Sequence, residues 1–237
     1  MITELKKIIS RERIQYTFFL ILSFLIIGFS IILCLTNPLS FRRYFGDINP
    51  LLMIFIIIIL AFVLFSVGIS YSWFNIYKRN LRGIAIISIP ASLLVMTPIL
   101  IDINFVYPEN INVLFPYSLL FYPTMGFVVE ILFHLVPLSL LLIVLTSVFK
   151  NVKQKKIIWI SIFIVSLLEP VFQMIFGTPS DFPLWIVIFF GFHLYLFNFL
   201  QLFIFKRYDF FTMYLFRLVY YLFWHILWGY LRLGLLF

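Results

Sequence analysis

The sequence contains seven long runs of apolar residues separated by short polar segments. They cover residues 17–35, 51–77, 83–101, 123–149, 157–176, 184–205 and 210–237. About 20 helical residues cross the roughly 30 Å of hydrocarbon in a bilayer. Only 11% of the 237 residues are charged, so the apolar surface is too large for a water-soluble core. We therefore predict an all-α fold, a polytopic transmembrane bundle of about seven spans.

Two of these runs need comment. Run 17–35 has the length of a retained span, and Asn37-Pro38 is a poor cleavage site for a signal peptide. Pro90 and Pro98 interrupt run 83–101, which predicts a kinked or partly re-entrant helix. We expect one transmembrane domain, 1–237, with three N-terminal spans in 1–116 and a candidate catalytic core of four spans in 117–237.

The basic residues are distributed unequally between the segments that join the runs. If the N-terminus is cytoplasmic, thirteen Lys and Arg residues lie inside and three lie outside. Because cytoplasmic loops carry an excess of Lys and Arg, we predict an N-in, C-out protein of the cell membrane. The net charge of +8 is thus a topology signal, with the lipid bilayer as the partner and no nucleic acid.

All three histidines, His134, His193 and His225, lie within the apolar runs, as do Glu130, Glu169 and Arg217. Burying such groups in hydrocarbon is costly, so they should face the bundle interior and each other. At about 1.5 Å per helical residue, Glu130, Glu169, His193 and His225 fall in one band of depth, nearer the outer face. We therefore expect these side chains to meet.

Carboxylates and imidazoles at one depth allow two readings. They can ligate a divalent metal, or a carboxylate can activate a water molecule. Alternatively, Glu130 pairs with His134 or Arg217 and only stabilises the bundle. A deeply placed guanidinium must meet a carboxylate or backbone carbonyls, which favours a counter-ion role for Arg217. Asn198 and Gln201 are typical of polar contacts between helices.

The pattern resembles the CAAX-protease and bacteriocin-processing family of intramembrane metalloproteases, which has the motifs EExxxR, FxxxH and HxxxN. Glu130 stands at the second glutamate of the first motif and His134 at its arginine. Glu169 stands where the second motif has histidine. In the third motif His225 is kept and Gly229 replaces asparagine.

This resemblance covers residues 117–237 and implies a divergent, metal-dependent endopeptidase that processes membrane-associated or exported polypeptides. In that reading Glu130 activates water, and His225 holds the metal or the oxyanion. The expected catalytic residues are Glu130, His134, Glu169 and His225. The expected ligands of a divalent metal such as zinc are Glu169, His193 and His225.

Three other functions remain open. His134, His193 and His225 are candidate ligands in a haem or quinone redox module. The chain is also compatible with a non-catalytic membrane scaffold whose polar residues neutralise each other. An ion carrier using Glu130 and Glu169 would need a chain of acids across the membrane, which the sequence lacks. Convergence of Glu130, Glu169 and His225 within about 5 Å would favour hydrolysis.

Overall fold

A computed structural model describes residues 8–78, 81–107, 112–177 and 182–237. These residues form helices and connecting segments, with no β-strand in any described range. The main helices are α1 (Arg13–Thr36), α2 (Pro50–Ser70), α3 (Leu81–Asn104), α4 (Ser118–Val148), α5 (Gln154–Phe176), α6 (Leu184–Arg207) and α7 (Phe210–Leu236). The prediction of an all-α polytopic bundle is confirmed.

Six of these helices, all except α3, are long and apolar enough to cross a membrane. The described apolar part of α3 is shorter, Ile89–Asn104. Nevertheless, α3 is one continuous helix that contains both Pro90 and Pro98. It begins just after Lys78, whose backbone N–H donates to the side chain of the residue that precedes α7. It ends beyond Asp102, whose carboxylate accepts from Arg232 near the end of α7. The helix α3 therefore connects the two ends of the bundle.

One end of the bundle collects most of the basic residues, and we call it the basic end. There the backbone N–H groups of Phe210 and Phe211 donate to the carbonyls of Asn75 and Ile76. The Gln15 side chain accepts from the Ile76 N–H at 2.8 Å. These bonds join the start of α1, the segment after α2 and the start of α7. The chain thus begins α1 and ends α7 at opposite ends, as an N-in, C-out topology requires.

The helix α2 ends earlier than the sequence predicts, at Ser70 instead of residue 77. The chain turns back through Ser72, whose φ is +55°, and brings the Phe74 ring onto the helix. A Cβ on Gly68 would lie 2.0 Å from that ring, so only glycine permits this approach. The apolar pattern continues past Ser70 because Trp73, Phe74 and Ile76 are buried in the core.

Three helices are irregular where they carry ionisable residues. In α4, Glu130–Leu135 is a π-helical segment, and Pro137 follows it with no N–H to donate to the carbonyl four residues earlier. In α5, regular helix stops at Val165 and resumes at Leu168, because Pro170 likewise cannot donate to Ser166. In α7, Leu222–Trp228 is a second π-helical segment. Such irregular turns are frequent at functional sites.

Candidate functional site

A buried arginine joins two glutamates from different helices. Arg217 Nε on α7 donates to Glu130 Oε1 on α4 at 2.6 Å. Its two terminal nitrogens donate to Glu169 on α5, at 2.9 Å to Oε2 and 3.2 Å to Oε1. The three residues are 1%, 0% and 3% exposed, respectively. The expectation that Arg217 meets a carboxylate is confirmed, and it meets two.

The remaining polar contacts close the group. His134 Nδ1 lies 2.6 Å from Glu130 Oε2, as the four-residue spacing predicts. Gln201 on α6 donates to Glu130 Oε1 and accepts from Arg217 at 2.9 Å. Arg217 also donates to the Tyr221 hydroxyl at 2.9 Å. We call Glu130, His134, Glu169, Gln201, Arg217 and Tyr221 the Arg217 cluster; it ties together four helices.

The Arg217 cluster contains two carboxylates and one guanidinium. They face each other in a site with almost no exposure to solvent. His134 lies against the Glu130 oxygen that Arg217 does not bond. His134 Nε2 is buried and has no hydrogen-bond partner in the described part of the chain.

His225 lies outside the Arg217 cluster. Its Nδ1 is 2.6 Å from Asn112 Oδ1, and its ring stacks on Tyr122 with centroids 4.4 Å apart and planes at 12°. Tyr122 also donates to Asn112 Oδ1, at 3.1 Å. Tyr221 separates His225 from Arg217, because its ring contacts the imidazole and its hydroxyl accepts from the guanidinium. No hydrogen bond joins His225 to Glu130 or Glu169 among the described contacts.

The Asn112 side chain occupies the place next to His225 that the third motif assigns to an asparagine on the same helix. A Cβ on Gly229 would lie 2.9 Å from Asn112 Nδ2 and 3.3 Å from its Cγ. The absence of a side chain at Gly229 therefore admits Asn112 from the segment before α4. Sequence spacing gave no signal for this contact, because the two residues are far apart in the chain.

His193 on α6 belongs to a third set of contacts. Its Nε2 lies 2.9 Å from the Tyr220 hydroxyl, and its Nδ1 lies 3.1 Å from the Thr97 hydroxyl on α3. Both ring nitrogens therefore have partners that are not acids. The three histidines lie in three different surroundings, so the structure does not bring His134, His193 and His225 together as a haem pair would require.

The predicted metal ligands fit a divalent cation poorly. Within the described ranges, no group of three or more His, Cys, Asp and Glu side chains is placed to hold a metal ion. Glu169 is held by the Arg217 guanidinium, and His193 and His225 bond elsewhere. A cation between Glu130 and Glu169 would face the positive charge of Arg217 at close range. The metal site stays a prediction without support from this geometry.

A second buried arginine lies at the end opposite the basic end. Arg232 on α7 donates through Nε to Asp102 Oδ2 at 2.7 Å and through NH2 to Asp102 Oδ1 at 2.9 Å. Trp228 Nε1 donates to Asp102 Oδ2 at 2.7 Å, and the Tyr107 N–H donates to Oδ1 at 3.0 Å. Burial, helped by the Asp102 charge, raises the pKa of the Tyr107 phenol. Sequence reasoning did not identify this group; we call Asp102, Tyr107, Trp228 and Arg232 the Arg232 cluster.

Of the expected catalytic residues, Glu130, His134 and Glu169 come together around Arg217, whereas His225 lies beyond Tyr221. On α7 the residue that bonds both glutamates is Arg217, two turns before His225. Gln201, expected to make a helix contact, bonds both Glu130 and Arg217.

Comparison with known proteins adds no assignment. No protein-family model, no curated protein and no solved structure matches this chain.

Proposed function

We propose that this chain is a non-catalytic, multi-pass membrane scaffold in which the Arg217 cluster fixes the arrangement of α4, α5, α6 and α7. The observation that carries the proposal is the position of the Arg217 guanidinium between Glu130 and Glu169. A glutamate that activates water needs an oxygen within reach of that water. Here each carboxylate oxygen of both residues already accepts a bond from the protein.

The family resemblance is consistent with this proposal if the third motif is placed on Arg217 and Tyr221. These residues have the four-residue spacing of HxxxN. Arg217 contacts Glu130 and Glu169, which stand at the first two motifs, and Tyr221 accepts a bond from Arg217. In that register a permanently charged guanidinium stands where the motif has a metal-compatible imidazole. A chain altered in this way would keep the helix arrangement and lose the metal chemistry.

Metal analysis of the purified protein tests this proposal. The wild type and the Glu169→Ala and His225→Ala variants, purified in parallel, should contain equal background amounts of zinc and of other divalent metals. Stoichiometric metal in the wild type that falls in Glu169→Ala would overturn the scaffold proposal and support the predicted metalloprotease.

One observation favours a second candidate, a hydrolase that works without metal. Glu130 orients the His134 ring through Nδ1, and His134 Nε2 is buried with no partner in the described residues. A carboxylate that holds an imidazole with a free second nitrogen is the arrangement of a general base. As a proposal, this pair would accept a proton from water or a hydroxyl group during cleavage of a polypeptide near the membrane.

A proteolysis assay separates the two candidates. Fluorescently labelled casein is mixed with the protein in proteoliposomes, with the His134→Asn variant and a His193→Asn control alongside. Cleavage by the wild type and the control but not by His134→Asn would support the hydrolase. No cleavage above protein-free liposomes in any of the three samples is the result that the scaffold proposal predicts.

A further inference from the structure

A cavity of about 390 Å³ opens at the basic end, far from the Arg217 cluster. It lies where the segment after α2, the end of α4 and the start of α5 meet. The residues that line it are Tyr71, Trp73, Ile143, Thr146, Ser147, Phe149, Lys150, Val152, Gln154 and Ile157. Gln154 Nε2 donates to the Tyr71 carbonyl at 3.3 Å and so ties two walls together. The volume is in the range of small-molecule sites.

A buried hydrogen-bond donor in the wall of this cavity has no acceptor. Trp73 is 6% exposed, and its Nε1 has no hydrogen-bond partner among the described residues. The Tyr71 ring stacks on it with centroids 4.8 Å apart and planes at 14°. Because an unsatisfied buried N–H costs about 1–3 kcal/mol, an acceptor supplied by a ligand would be favoured here.

The charges around the cavity favour the binding of an anion. Lys150 lines it, and no lining residue is an acid. The described part of the chain contains no carboxylate paired with Lys150. Gln154 is the first residue of α5, and the preceding residue, Lys153, makes no side-chain capping bond. The free N–H groups of that first turn and the helix dipole favour a negatively charged group.

From these features we propose that the cavity binds the phosphate of an anionic phospholipid headgroup from the leaflet at the basic end. Lys150 supplies the charge, Trp73 Nε1 donates a hydrogen bond, and the first turn of α5 donates backbone N–H groups. Ile143, Val152 and the half-exposed Phe149 give the site an apolar side, which suits the acyl chains of a lipid better than a free phosphate ion. This site is independent of the proposed scaffold function.

Lipid retention measured by native mass spectrometry tests the site. The protein is purified in detergent and exposed to equal amounts of phosphatidylglycerol and phosphatidylcholine. We expect preferential retention of phosphatidylglycerol, about fivefold weaker in Lys150→Gln because one lysine near an anionic surface contributes about 1 kcal/mol. Trp73→Phe, which removes the N–H together with the five-membered ring of the indole and keeps a six-membered aromatic ring, should weaken retention about two- to tenfold.

The control is Arg207→Gln, which removes the same charge from an exposed position at the same end but outside the cavity. It should leave the preference unchanged. Equal retention of both lipids by the wild type, or an equal loss in Arg207→Gln and Lys150→Gln, would overturn the proposal. Displacement of phosphatidylglycerol by inorganic phosphate at matched concentration would overturn the assignment to a lipid.

Discussion

The two buried arginines of α7 differ in the groups that surround them. Among the described residues, Arg232 bonds to the carboxylate of Asp102, whose oxygens also accept from Trp228 and from the Tyr107 N–H. Arg217 lies between two carboxylates, Glu130 and Glu169, and His134 contacts the Glu130 oxygen that the guanidinium does not bond. The Arg232 cluster lies at one end of the bundle, whereas the Arg217 cluster joins four helices at its centre. A buried arginine alone therefore does not indicate a catalytic site.

The largest effect is expected for Arg217→Met. This substitution removes the only guanidinium between Glu130 and Glu169 and leaves both carboxylates buried. Breaking a buried ion pair costs about 3–5 kcal/mol, and here two pairs break, so the free energy of unfolding should fall by at least that amount. Thermal unfolding in detergent, followed by tryptophan fluorescence, measures it. A loss no greater than that of Asp102→Asn would contradict the larger stabilising role of the Arg217 cluster.

A smaller loss, about 3 kcal/mol, is expected for Asp102→Asn, because one buried ion pair is broken instead of two. The same unfolding measurement applies. Asp47→Asn is a matched control: its carboxylate is 3.6 Å from Arg42, but both side chains are largely exposed. It should leave stability unchanged, since exposed ion pairs contribute little. If both substitutions have the same effect, the Arg232 cluster does not stabilise the fold.

Next in size is Gly229→Ala, which places a methyl group 2.9 Å from Asn112 Nδ2. Asn112 must move, and its bond to His225 weakens, so we expect a loss of about 1–2 kcal/mol. Gly234→Ala provides the control, because nothing lies within 4 Å of a Cβ at that position of the same helix. A gain in stability for Gly229→Ala would mean that Asn112 does not pack against Gly229.

The smallest effect is expected for Tyr220→Phe, which removes the hydroxyl that bonds His193 Nε2 at 2.9 Å. The loss should be about 1 kcal/mol, the usual net contribution of one hydrogen bond. Tyr230→Phe, at a position 64% exposed, should be neutral in the same assay. A larger loss than in Asp102→Asn would show that His193 has a greater structural role than either ion pair.

Sequence reasoning predicted the helices well because hydrophobic length is a local property. It misplaced the end of α2, since Trp73, Phe74 and Ile76 are as apolar as a span but pack into the core from a turn. The contacts of Glu130 with His134, and of Arg217 with a carboxylate, followed from spacing and from the cost of buried charge. The contacts of Asp102 with Arg232 and of Asn112 with His225 did not, because nothing local links residues more than a hundred positions apart.

The depths estimated from the helical rise also could not predict which side chains are in contact. They placed Glu130, Glu169, His193 and His225 in one band, but depth does not determine which way a side chain points. His193 faces Thr97 and Tyr220, and His225 faces Asn112 and Tyr122. Only the glutamates meet, through Arg217.

The most direct test of the central claim, that Glu130, Glu169 and Arg217 hold the helices together as one structural unit, is the replacement of all three charges. Thermal unfolding should be compared between Arg217→Met and the triple variant Glu130→Gln, Glu169→Gln, Arg217→Met. Because removing all partners of a buried ionic group is far less costly than removing one, the triple variant should recover most of the stability lost in Arg217→Met. A triple variant as unstable as Arg217→Met would contradict the claim.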